Sequence, residues 1–314
     1  MASVLKHAQA ALDRCAARGF GGRGLPFFGS GDWNDGLDAV DGESVWLGWF
    51  FSDCCHRFSA LMDALSIPGA QRYRELGESV GAAAEKSFDG EKYPRGFLPD
   101  GAPLGGEARI DSLPQSFAAL SPYSAPEHSR RAVETAISRL VDRDAALVRL
   151  FDPPYSPQER YVGYISSYGA GFRENGGQYT HGALWLAMSC FRLGMAERGY
   201  ELLRLLLPQS RELRRYQAEP FVLAADVYSA PGHEGEAGWT WYTGSAGWFF
   251  RVVTQELFGL QLKAGKLYIS PCLPPSLPGY ICSWRDGAGA EHEIRVENGA
   301  VRVDGSEYNG EGVG

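Results

Sequence analysis

The stretch Ser44–Ser87, SVWLGWFFSDCCHRFSALMDALSIPGAQRYRELGESVGAAAEKS, carries the pattern on which the fold prediction depends. Its first part, Ser44–Leu65, is a helix pattern rich in aromatic residues, and it ends before Pro68-Gly69 because proline cannot continue a helix. Its second part, Gln71–Ser87, is a more polar helix whose charged residues lie on one exposed face. The stretch therefore predicts two helices that pack as an antiparallel pair.

Helix patterns of similar length continue through most of the chain. They cover Ala2–Ala17, a short segment that begins at the cap Asp111 and ends near Ser121-Pro122, Pro126–Val141, Gln178–Leu193, Ala196–Leu207 and Ser245–Leu257. Paired helices joined alternately by short and long connections predict a mainly α fold, an α/α toroid. Roughly eight or nine helices are expected, fewer than the twelve that a closed toroid of six pairs needs.

Long segments without a regular period separate several of these helices. They are Gly21–Glu43, Tyr93–Arg109, Pro153–Arg173 and Ser229–Trp241. Long ordered loops in a compact domain are usually functional, and aromatic and polar residues concentrate in these four. We therefore expect the loops to gather at one mouth of the toroid and to hold the site.

The character of the chain changes after Gly259. Residues 260–303 alternate apolar and polar side chains, and Asn298-Gly299 between two such stretches is a strong β-hairpin signal. The pattern predicts a small antiparallel β unit, with residues 306–314 frayed at its end. We expect a helical domain over residues 1–259 and a C-terminal β segment over residues 260–314.

Composition limits the function classes. The chain has 314 residues and a net charge of -8, which argues against a nucleic-acid partner and against a polybasic membrane surface. The longest apolar run, Val45–Phe51, is too short to cross a bilayer, and the N-terminus has no signal-peptide pattern. The six cysteines form no C-x-x-C pair, so reduced, mostly buried thiols in the cytoplasm are expected.

The loop GSGDWNDG at Gly29–Gly36 concentrates groups that suit sugar chemistry. Asp32 and Asp35 are so close that their charges repel, so one of them is expected to hold a proton near neutral pH. A protonated carboxyl is the acid that glycosidic bond cleavage needs, and the flat indole of Trp33 suits a sugar ring. An Asx-rich turn is the alternative, because Asp, Asn and Gly are also preferred turn residues.

A second polar cluster, RENGGQYTH at Arg173–His181, precedes the most apolar helix pattern. Glu174 and Asn175 have side chains that hydrogen-bond sugar hydroxyls, and the two glycines permit close backbone approach to a ligand. His181 falls in the first helical turn, where free N–H groups and the helix dipole favour an anion. A structural histidine at a helix start is the alternative.

A third cluster, WTWYTGSAGW at Trp239–Trp248, combines aromatic rings with small polar residues. Thr243 and Ser245 supply hydroxyls and Gly244 exposes a backbone N–H at a helix start, so a second anion-binding turn is expected. The aromatic residues are also candidates for the core, which does not explain the threonine, glycine and serine among them. The chain has no H-E-x-x-H motif and no other tight His/Cys cluster, so no metal site is expected.

Taken together, these segments resemble glycoside hydrolase family 94, the inverting phosphorylases typified by cellobiose and chitobiose phosphorylase. The resemblance lies in seven segments that follow the family's order, GLPFFGSGDWNDGLD, GESVWLGWFF, YPRGFLPDGAPLG, RIDSLPQSFA, RENGGQYTHGALWLAM, EPFVLAADVYS and GWTWYTGSAGW. The resemblance covers roughly residues 20–300. Within the family, it is strongest to the branch of cyclic β-1,2-glucan synthase and β-1,2-oligoglucan phosphorylase.

The resemblance implies an (α/α)6 barrel followed by a C-terminal β segment, and it implies site roles. Asp35 matches the general acid, and Trp33 and Asn34 match contacts near the bond that is cut. The residues expected to bind substrate in the second cluster are Glu174, Asn175, Gln178 and Tyr179. The residues that match phosphate ligands are His181, Thr243 and Gly244.

The family's barrel begins well before the W-N-D motif and follows a β-sandwich domain, whereas only 32 residues precede Trp33 here. An upstream arginine that helps to bind phosphate, and an acidic residue that grips the reacting sugar, have no counterpart. We therefore expect the C-terminal portion of a larger enzyme, with a partial barrel completed by an upstream half. The resemblance also implies a second copy of the chain as a partner, in a homodimer. It implies that the whole protein is anchored in a membrane if it is of the synthase type.

The implied activity is inverting phosphorolysis of a β-linked glucooligosaccharide, with inorganic phosphate as co-substrate and no other cofactor. Asp35 would protonate the leaving oxygen while phosphate attacks the anomeric carbon to give α-glucose 1-phosphate. Two alternatives stay open. One is an inverting hydrolase that uses Glu174 as its base, and the other is a non-catalytic carbohydrate-binding fragment of a larger cyclic glucan synthase.

Overall fold

The computed structural model describes residues 3–314, so Met1 and the predicted helix start at Ala2 lie outside the described residues. This part of the chain forms nine α-helices, which confirms a mainly α fold. They are α1 Val4–Ala17, α2 Val45–Ala64, α3 Ala70–Glu85, α4 Ser112–Leu120, α5 Pro126–Leu140, α6 Thr180–Arg192, α7 Ala196–Leu206, α8 Leu213–Tyr216 and α9 Thr243–Arg251. A π-helical turn, Val252–Leu257, extends α9, and 3-10 turns cover Tyr164–Ser167 and Pro208–Ser210.

The predicted helical pair is present as α2 and α3, whose bounds agree with the prediction to within two residues. The Ser44 hydroxyl caps α2 by accepting a hydrogen bond from the Leu47 N–H at 3.0 Å. The two helices lie very close because Gly77 has no side chain. A Cβ at this position would lie 3.1 Å from the Ser52 carbonyl oxygen of α2.

The helices are arranged in an inner and an outer layer. Helices α2, α4, α6 and α9 contact one another in that order and line a common cleft. Helix α3 packs on α2, α5 packs on α4, and α7 packs on α6. Each of these three helical hairpins therefore contributes one inner and one outer helix, with apolar cores between the layers.

Short antiparallel strand pairs tie the long loops to the helices. The strands are β1 Glu43–Ser44, β2 Gly96–Phe97, β3 Ile110–Asp111, β4 Val141–Asp142, β5 Leu147–Val148, β6 Phe151–Asp152, β7 Gln178–Tyr179 and β8 Asp226–Val227. The pairs are β1–β2, β3–β6, β4–β5 and β7–β8. Strands β1, β3 and β7 run directly into the inner helices α2, α4 and α6, so the paired loops cluster around the N-terminal ends of those helices.

Helix α6 begins two residues later than predicted. Gln178 was expected to open the helix, but Gln178 and Tyr179 form strand β7, which pairs with β8. A strand of two residues is too short to show an alternating pattern in the sequence, so the predicted helix included these two residues. Successive strand residues face opposite sides, so Gln178 and Tyr179 point in opposite directions. As expected, α6 is buried on nearly every face, with 11 of its 13 residues inaccessible to solvent.

The C-terminal part forms the predicted antiparallel β unit. It consists of the hairpin β9 Leu260–Lys263 and β10 Lys266–Ile269, and of the four-stranded meander β11 Gly279–Arg285, β12 Glu291–Glu297, β13 Ala300–Val303 and β14 Ser306–Glu307. Asn298 and Gly299 connect β12 to β13 with φ values of 50° and 84°, as a two-residue hairpin turn requires. The expectation of a frayed C-terminus is wrong, because Leu267 and Val313 exchange two backbone hydrogen bonds of 2.9 Å.

Two further expectations concern the membrane and the cysteines. Between residues 3 and 314, none of the helices has the length and apolarity needed to cross a membrane. All six cysteines are unpaired thiols in this part of the chain. Only Cys55 and Cys190 are buried and Cys15 is exposed on α1, so the expectation of mostly buried thiols is wrong.

Candidate active site

The Gly29–Gly36 loop is built from consecutive Asx turns. The Asp32 carboxylate accepts a hydrogen bond from the Asn34 N–H, and the Asn34 side-chain oxygen accepts one from the Gly36 N–H, both at 3.0 Å. Gly31 has φ 101°, and a Cβ there would lie 2.8 Å from the Asp35 Cα, so only glycine fits. The loop thus forms the Asx-rich turns that were the alternative interpretation, and in these turns Asp35 is exposed to solvent.

Asp32 belongs to a buried ionic network and is not free to act on Asp35. Both of its oxygens are occupied, one by the Arg95 guanidinium and the other by the Ser44 hydroxyl at 2.7 Å. The Asp32 and Arg95 side chains are 0% and 2% exposed, and Arg95 Nε also lies 3.3 Å from Asp111. Arg95 therefore balances the charge of Asp32, and the predicted repulsion between Asp32 and Asp35 did not take this ion pair into account.

Trp33 lies at the centre of an aromatic cluster. Its ring centroid is 5.3 Å from that of Tyr179, 5.6 Å from that of His181 and 5.6 Å from that of Trp185. The His181 ring also packs 5.7 Å from the ring of Trp248 on α9. The loop of the predicted acid is thus joined through ring contacts to the beginnings of two inner helices.

The first turns of α6 and α9 converge at this cluster. His181 is the second residue of α6, and Thr243 and Gly244 are the first two residues of α9. A Cβ on Gly244 would lie 3.8 Å from His181 Nδ1, so the two turns are separated by a gap that one methyl group would bridge. Within residues 3–314 neither helix has a side-chain cap, and the Thr180 N–H of α6 donates to the Ala225 carbonyl at 2.8 Å. The N–H groups that follow in each first turn, together with the helix dipoles, favour an anion.

His181 is held as a neutral imidazole. Burial lowers the pKa of His181 to about 4, and its buried Nε2 atom has no hydrogen-bond partner in the described part of the chain, residues 3–314. A neutral imidazole offers one N–H donor and one acceptor, so it can donate to an anion without carrying a permanent charge. A buried polar nitrogen without a partner is costly, and a bound ligand would satisfy it.

Asp35 lies opposite a second carboxylate from another loop. The phenol of Tyr164 lies near the Asp35 carboxylate, and burial followed by this carboxylate raises the pKa of Tyr164. Burial raises the pKa of Glu174, which the charges of Asp226 and Asp35 raise further. Burial followed by the charge of Glu174 raises the pKa of Tyr179 to about 12, which places Glu174 near the aromatic cluster as well.

Arg173 and Asp226 complete the polar group around Glu174. Arg173 Nε lies 3.5 Å from Glu174 Oε2, and its guanidinium stacks 4.6 Å above the ring of Trp239. Asp226 is fully buried in β8 and accepts the Trp239 N–H at 3.0 Å. Burial lowers the pKa of Arg173, but the carboxylates of Glu174 and Asp226 raise it by more, so Arg173 stays charged.

Three of the predicted substrate-binding residues use their amides to hold the chain itself. Asn175 is fully buried and bonds the Tyr155 N–H, the Tyr155 carbonyl and the Tyr168 carbonyl at 2.7–3.0 Å. Gln178 is 1% exposed and accepts hydrogen bonds from the Val148 N–H and from Arg211. Together with the turn-forming Asn34, these side chains favour a positioning role over direct contact with a ligand.

The structure therefore divides the predicted site residues into two groups. Those that ring contacts, the approach of the two helix starts or the effects of their charges connect are Trp33, Asp35, Glu174, Tyr179, His181, Thr243 and Gly244. Those that it turns into the protein are Asn34, Asn175 and Gln178. Sequence reasoning did not select Tyr164, Arg173 or Asp226, although Arg173 stands beside Glu174 in the second cluster and was a visible signal.

A cleft of about 680 Å³ runs along the inner helices and reaches Trp33 and His181, whereas Asp35 and Glu174 do not line it. Trp33 and His181 line it at the site, and aromatic side chains of α2, α4, α6 and α9 form its walls. These are Trp46, Phe50, Phe117, Trp185 and Trp248. Within residues 3–314, no three His, Cys, Asp or Glu side chains are grouped so as to hold a metal ion.

Two characterised proteins resemble the chain in sequence. Cyclic beta-(1,2)-glucan synthase NdvB of Rhizobium meliloti is 39% identical over 310 residues, which cover 93% of this chain and 11% of that protein. N,N'-diacetylchitobiose phosphorylase of Vibrio proteolyticus is 27% identical over 308 residues, which cover 95% of this chain and 38% of that protein. The chain thus spans only a minor part of the length of either relative.

The fold also resembles a solved structure. A sialidase superposes with a TM-score of 0.69 over 96% of this chain and 29% of its own, at 11% sequence identity, a likeness that concerns the fold alone. In sequence, the model of the glycosyl hydrolase 94 superfamily catalytic domain matches residues 1–259. This match covers the inner helices, the converging helix starts and the loop of Asp35. The chain therefore belongs to the glycosyl hydrolase 94 superfamily.

Proposed function

We propose that this chain carries the acid and the phosphate site of an inverting glycoside phosphorylase that acts on β-linked glucooligosaccharides, with β-1,2-glucan as the expected substrate. The observation that carries the proposal is the convergence of two uncapped helix starts at His181 and Gly244, beside the loop of Asp35. Two helix N-termini that meet at a neutral histidine suit a phosphate dianion. An exposed carboxyl next to an aromatic cluster suits a general acid at a sugar.

The proposed step needs one acid and no carboxylate base. Asp35 donates its proton to the glycosidic oxygen while the bond from that oxygen to the anomeric carbon breaks. A phosphate oxygen forms the new bond to the anomeric carbon from the opposite face, which gives α-glucose 1-phosphate and an oligosaccharide shorter by one unit. Phosphate is already an anion, whereas an inverting hydrolase needs a second carboxylate to activate water.

The proposed phosphate ligands are His181, Thr243 and Gly244. His181 donates an N–H from its neutral ring, Thr243 donates its hydroxyl, and Gly244 donates a backbone N–H that no side chain obstructs. Phosphate in this position would satisfy the buried His181 Nε2, which has no hydrogen-bond partner among residues 3–314. The opposite charge of a bound dianion would also favour protonation of the imidazole.

The sugar contacts in this proposal come from the exposed side of the site. Trp33 and Tyr179 provide ring faces and edges, and Glu174 provides Oε2, which lies 3.5 Å from Arg173 Nε and has no hydrogen-bond partner within residues 3–314. Tyr164 lies beside Asp35, whose carboxylate contributes to the raised pKa of the Tyr164 phenol. Asn34, Asn175 and Gln178 act indirectly, by holding the loops from which Trp33, Asp35 and Glu174 project.

We also propose that the open arc of inner helices is part of an (α/α)6 barrel over residues 1–259, followed by a β segment over residues 260–314. The cleft is lined by Phe50 of α2, which is 41% exposed, and by the partly exposed Trp248 of α9, which a complete barrel would enclose. Because the chain spans 38% or less of the relatives described above, other segments of the whole protein are proposed to close the cleft. Activity of the isolated chain is then part of the test.

The test measures release of glucose 1-phosphate from β-1,2-, β-1,3- and β-1,4-linked glucooligosaccharides, with and without phosphate. We expect phosphate-dependent release, and we expect Asp35→Asn to reduce it by about two to four orders of magnitude. The matched control is Asp41→Asn, in an exposed residue of the same loop whose φ of 48° suits asparagine equally well. Release of free glucose without phosphate would identify a hydrolase, and full activity in Asp35→Asn would show that Asp35 is not the acid.

A further inference from the structure

Four aromatic side chains next to the candidate site face solvent. Phe221, Trp239, Trp241 and Tyr242 are 72%, 53%, 67% and 44% exposed, and we call them the aromatic strip. The Phe221 and Trp241 rings lie 6.2 Å apart, and the Trp239 and Tyr242 rings lie 5.6 Å apart. Large aromatic side chains are rarely left exposed as a group on a folded surface, so such a group indicates binding.

The aromatic strip is continuous with the candidate active site. The Trp239 ring lies 4.6 Å below the guanidinium of Arg173, whose Nε is 3.5 Å from Glu174. Tyr242 directly precedes Thr243 and Gly244 at the start of α9. A ligand that is bound beside Glu174 and extends past Arg173 therefore reaches the aromatic strip at Trp239.

The strip is held outward by specific bonds. The Trp239 backbone N–H is bonded at 3.0 Å to the buried carboxylate of Asp226, which fixes the strip to strand β8. Trp241 has φ 62°, an uncommon conformation for a bulky residue, and its indole N–H donates to Glu219 at 2.8 Å. The rings are thus positioned before any ligand binds, which lowers the entropy cost of binding.

The chemistry of the strip suits a carbohydrate chain. Aromatic faces cover the apolar C–H face of a sugar ring, and charged groups at the ring edges accept or donate hydrogen bonds to its hydroxyls. Here Arg173 lies at one end and Glu219 at the other, each in contact with a ring of the strip. Arg173 makes no side-chain hydrogen bond within residues 3–314 beyond its ion pair with Glu174, so its outer N–H groups are free to bind hydroxyls.

We propose that the aromatic strip binds the sugar units of a linear β-linked glucooligosaccharide that lie beyond the bond being cut. This inference rests on the proposed function, because it takes the site beside Asp35 and Glu174 as the place of cleavage. It adds a preference for chain length. Oligosaccharides that are long enough to reach Trp241 gain ring contacts, whereas a disaccharide ends before the strip and gains none.

The test compares binding of a β-linked disaccharide of glucose with binding of the corresponding linear octasaccharide, by calorimetry on this chain. We expect the octasaccharide to bind more tightly, and we expect Trp241→Ala and Phe221→Ala each to weaken its binding by about five- to ten-fold. Disaccharide binding stays unchanged in both variants. Phe250→Ala is the matched control, because this phenylalanine of α9 is 69% exposed but lies outside the strip.

Binding and turnover separate the two proposals. If the octasaccharide binds through Trp241 and Phe221 but glucose 1-phosphate is never released, the strip stands and the proposed phosphorolysis fails. The strip is refuted if both ligands bind equally well, if neither binds, or if Phe250→Ala weakens octasaccharide binding as much as Trp241→Ala does. Circular dichroism of each variant establishes that the fold is retained, and Phe221→Ala provides the independent case if Trp241→Ala fails to fold.

Discussion

Gly244 lies against His181 so closely that a methyl group on its Cα would stand 3.8 Å from the imidazole Nδ1. This approach brings the first turn of α9 near the first turn of α6, although Gly244 and His181 are separated by 63 positions in the chain. Because 3.8 Å is an ordinary van der Waals distance, the protein without ligand has room for this methyl group. A phosphate held between the two turns would not leave that room.

Gly244→Ala separates stability from phosphate binding. Alanine is the better helix former, so we expect the free energy of unfolding to stay equal or to rise by about 0.5–1 kcal/mol. The added methyl group would obstruct the anion, so we expect the apparent KM for phosphate to rise by about ten-fold while that for the oligosaccharide changes little. Urea unfolding and initial rates at varied phosphate concentration measure the two effects.

Gly247→Ala is the control within the same helix. A Cβ on Gly247 would meet nothing within 4 Å, so this variant adds the same methyl group away from His181. It should gain a similar free energy of unfolding and keep the phosphate KM of the unchanged chain. Equal phosphate KM values in the two alanine variants would place the anion elsewhere.

His181 makes stability depend on pH in a specific direction. Burial lowers the pKa of His181 to about 4, below the value of about 6.5 expected for the unfolded chain. The unfolded state therefore binds the proton first, so this stabilising contribution is complete above about pH 6.5 and is lost as the pH falls through 4. We expect His181→Gln to flatten the decrease in free energy of unfolding between pH 6.5 and 4, measured by urea unfolding without phosphate.

His292 serves as a control of opposite sign. A hydrogen bond to Asp304 raises the pKa of His292, so its contribution to stability is present at low pH and is lost as the pH rises through the folded pKa. His292→Gln should therefore leave the acid side of the curve of His181 in place. If His181→Gln leaves the slope between pH 6.5 and 4 unchanged, the imidazole is not held neutral by burial.

Local patterns were sufficient for eight of the nine helices within residues 3–314 and for the β unit, whereas the four-residue helix α8 was not predicted. The cap at Ser44, the proline after α2 and the turn at Asn298-Gly299 each act within a few residues, and the structure has an element boundary at each of them. The beginning of α6 was missed because β7 has only two residues and gains its identity from a distant partner, β8. The periodicity of a local segment does not predict which distant segment it pairs with.

The site shows the same limit more strongly. Asp32 and Asp35 are neighbours in sequence, but Asp32 pairs with Arg95, which lies 63 residues further along the chain. Tyr164 and Asp226 become part of the site only because the fold brings Tyr164 near Asp35 and Asp226 near Arg173. Residue types in one segment can therefore suggest an acid, but its electrostatic neighbours come from segments that only the fold brings together.

The buried Arg95 network predicts a large loss of stability on mutation. Arg95→Met removes the only cation that contacts both Asp32 and Asp111 within residues 3–314, and it leaves two buried carboxylates without a counter-charge. Breaking a buried pair in this way typically costs about 3–5 kcal/mol. The control is Arg57→Met, because Arg57 forms a surface pair with Asp53 whose loss should cost less than about 1 kcal/mol. Similar unfolding midpoints for the two variants would contradict the assignment of Arg95 as a structural centre.

The adjacent residues Glu174 and Asn175 should respond in opposite ways when they are changed. Asn175→Ala leaves two backbone groups of Tyr155 and one of Tyr168 without their buried partner, so we expect a loss of about 2–4 kcal/mol in the free energy of unfolding. Glu174→Gln removes a carboxylate whose charged form is disfavoured by burial and by Asp226, so stability should be preserved. The same change should raise the KM for oligosaccharide by about ten-fold if Glu174 binds sugar hydroxyls.

Measuring both variants distinguishes a residue that contacts the ligand from one that holds the loop. Urea unfolding gives the stability change, and initial rates on the folded fraction give the change in KM. Rates corrected for folded fraction should recover in Asn175→Ala at low temperature, because Asn175 acts through the position of its neighbours. Should Glu174→Gln lose stability while its KM stays unchanged, Glu174 would be the structural member of the pair, and the sugar contact would have to come from Arg173 instead.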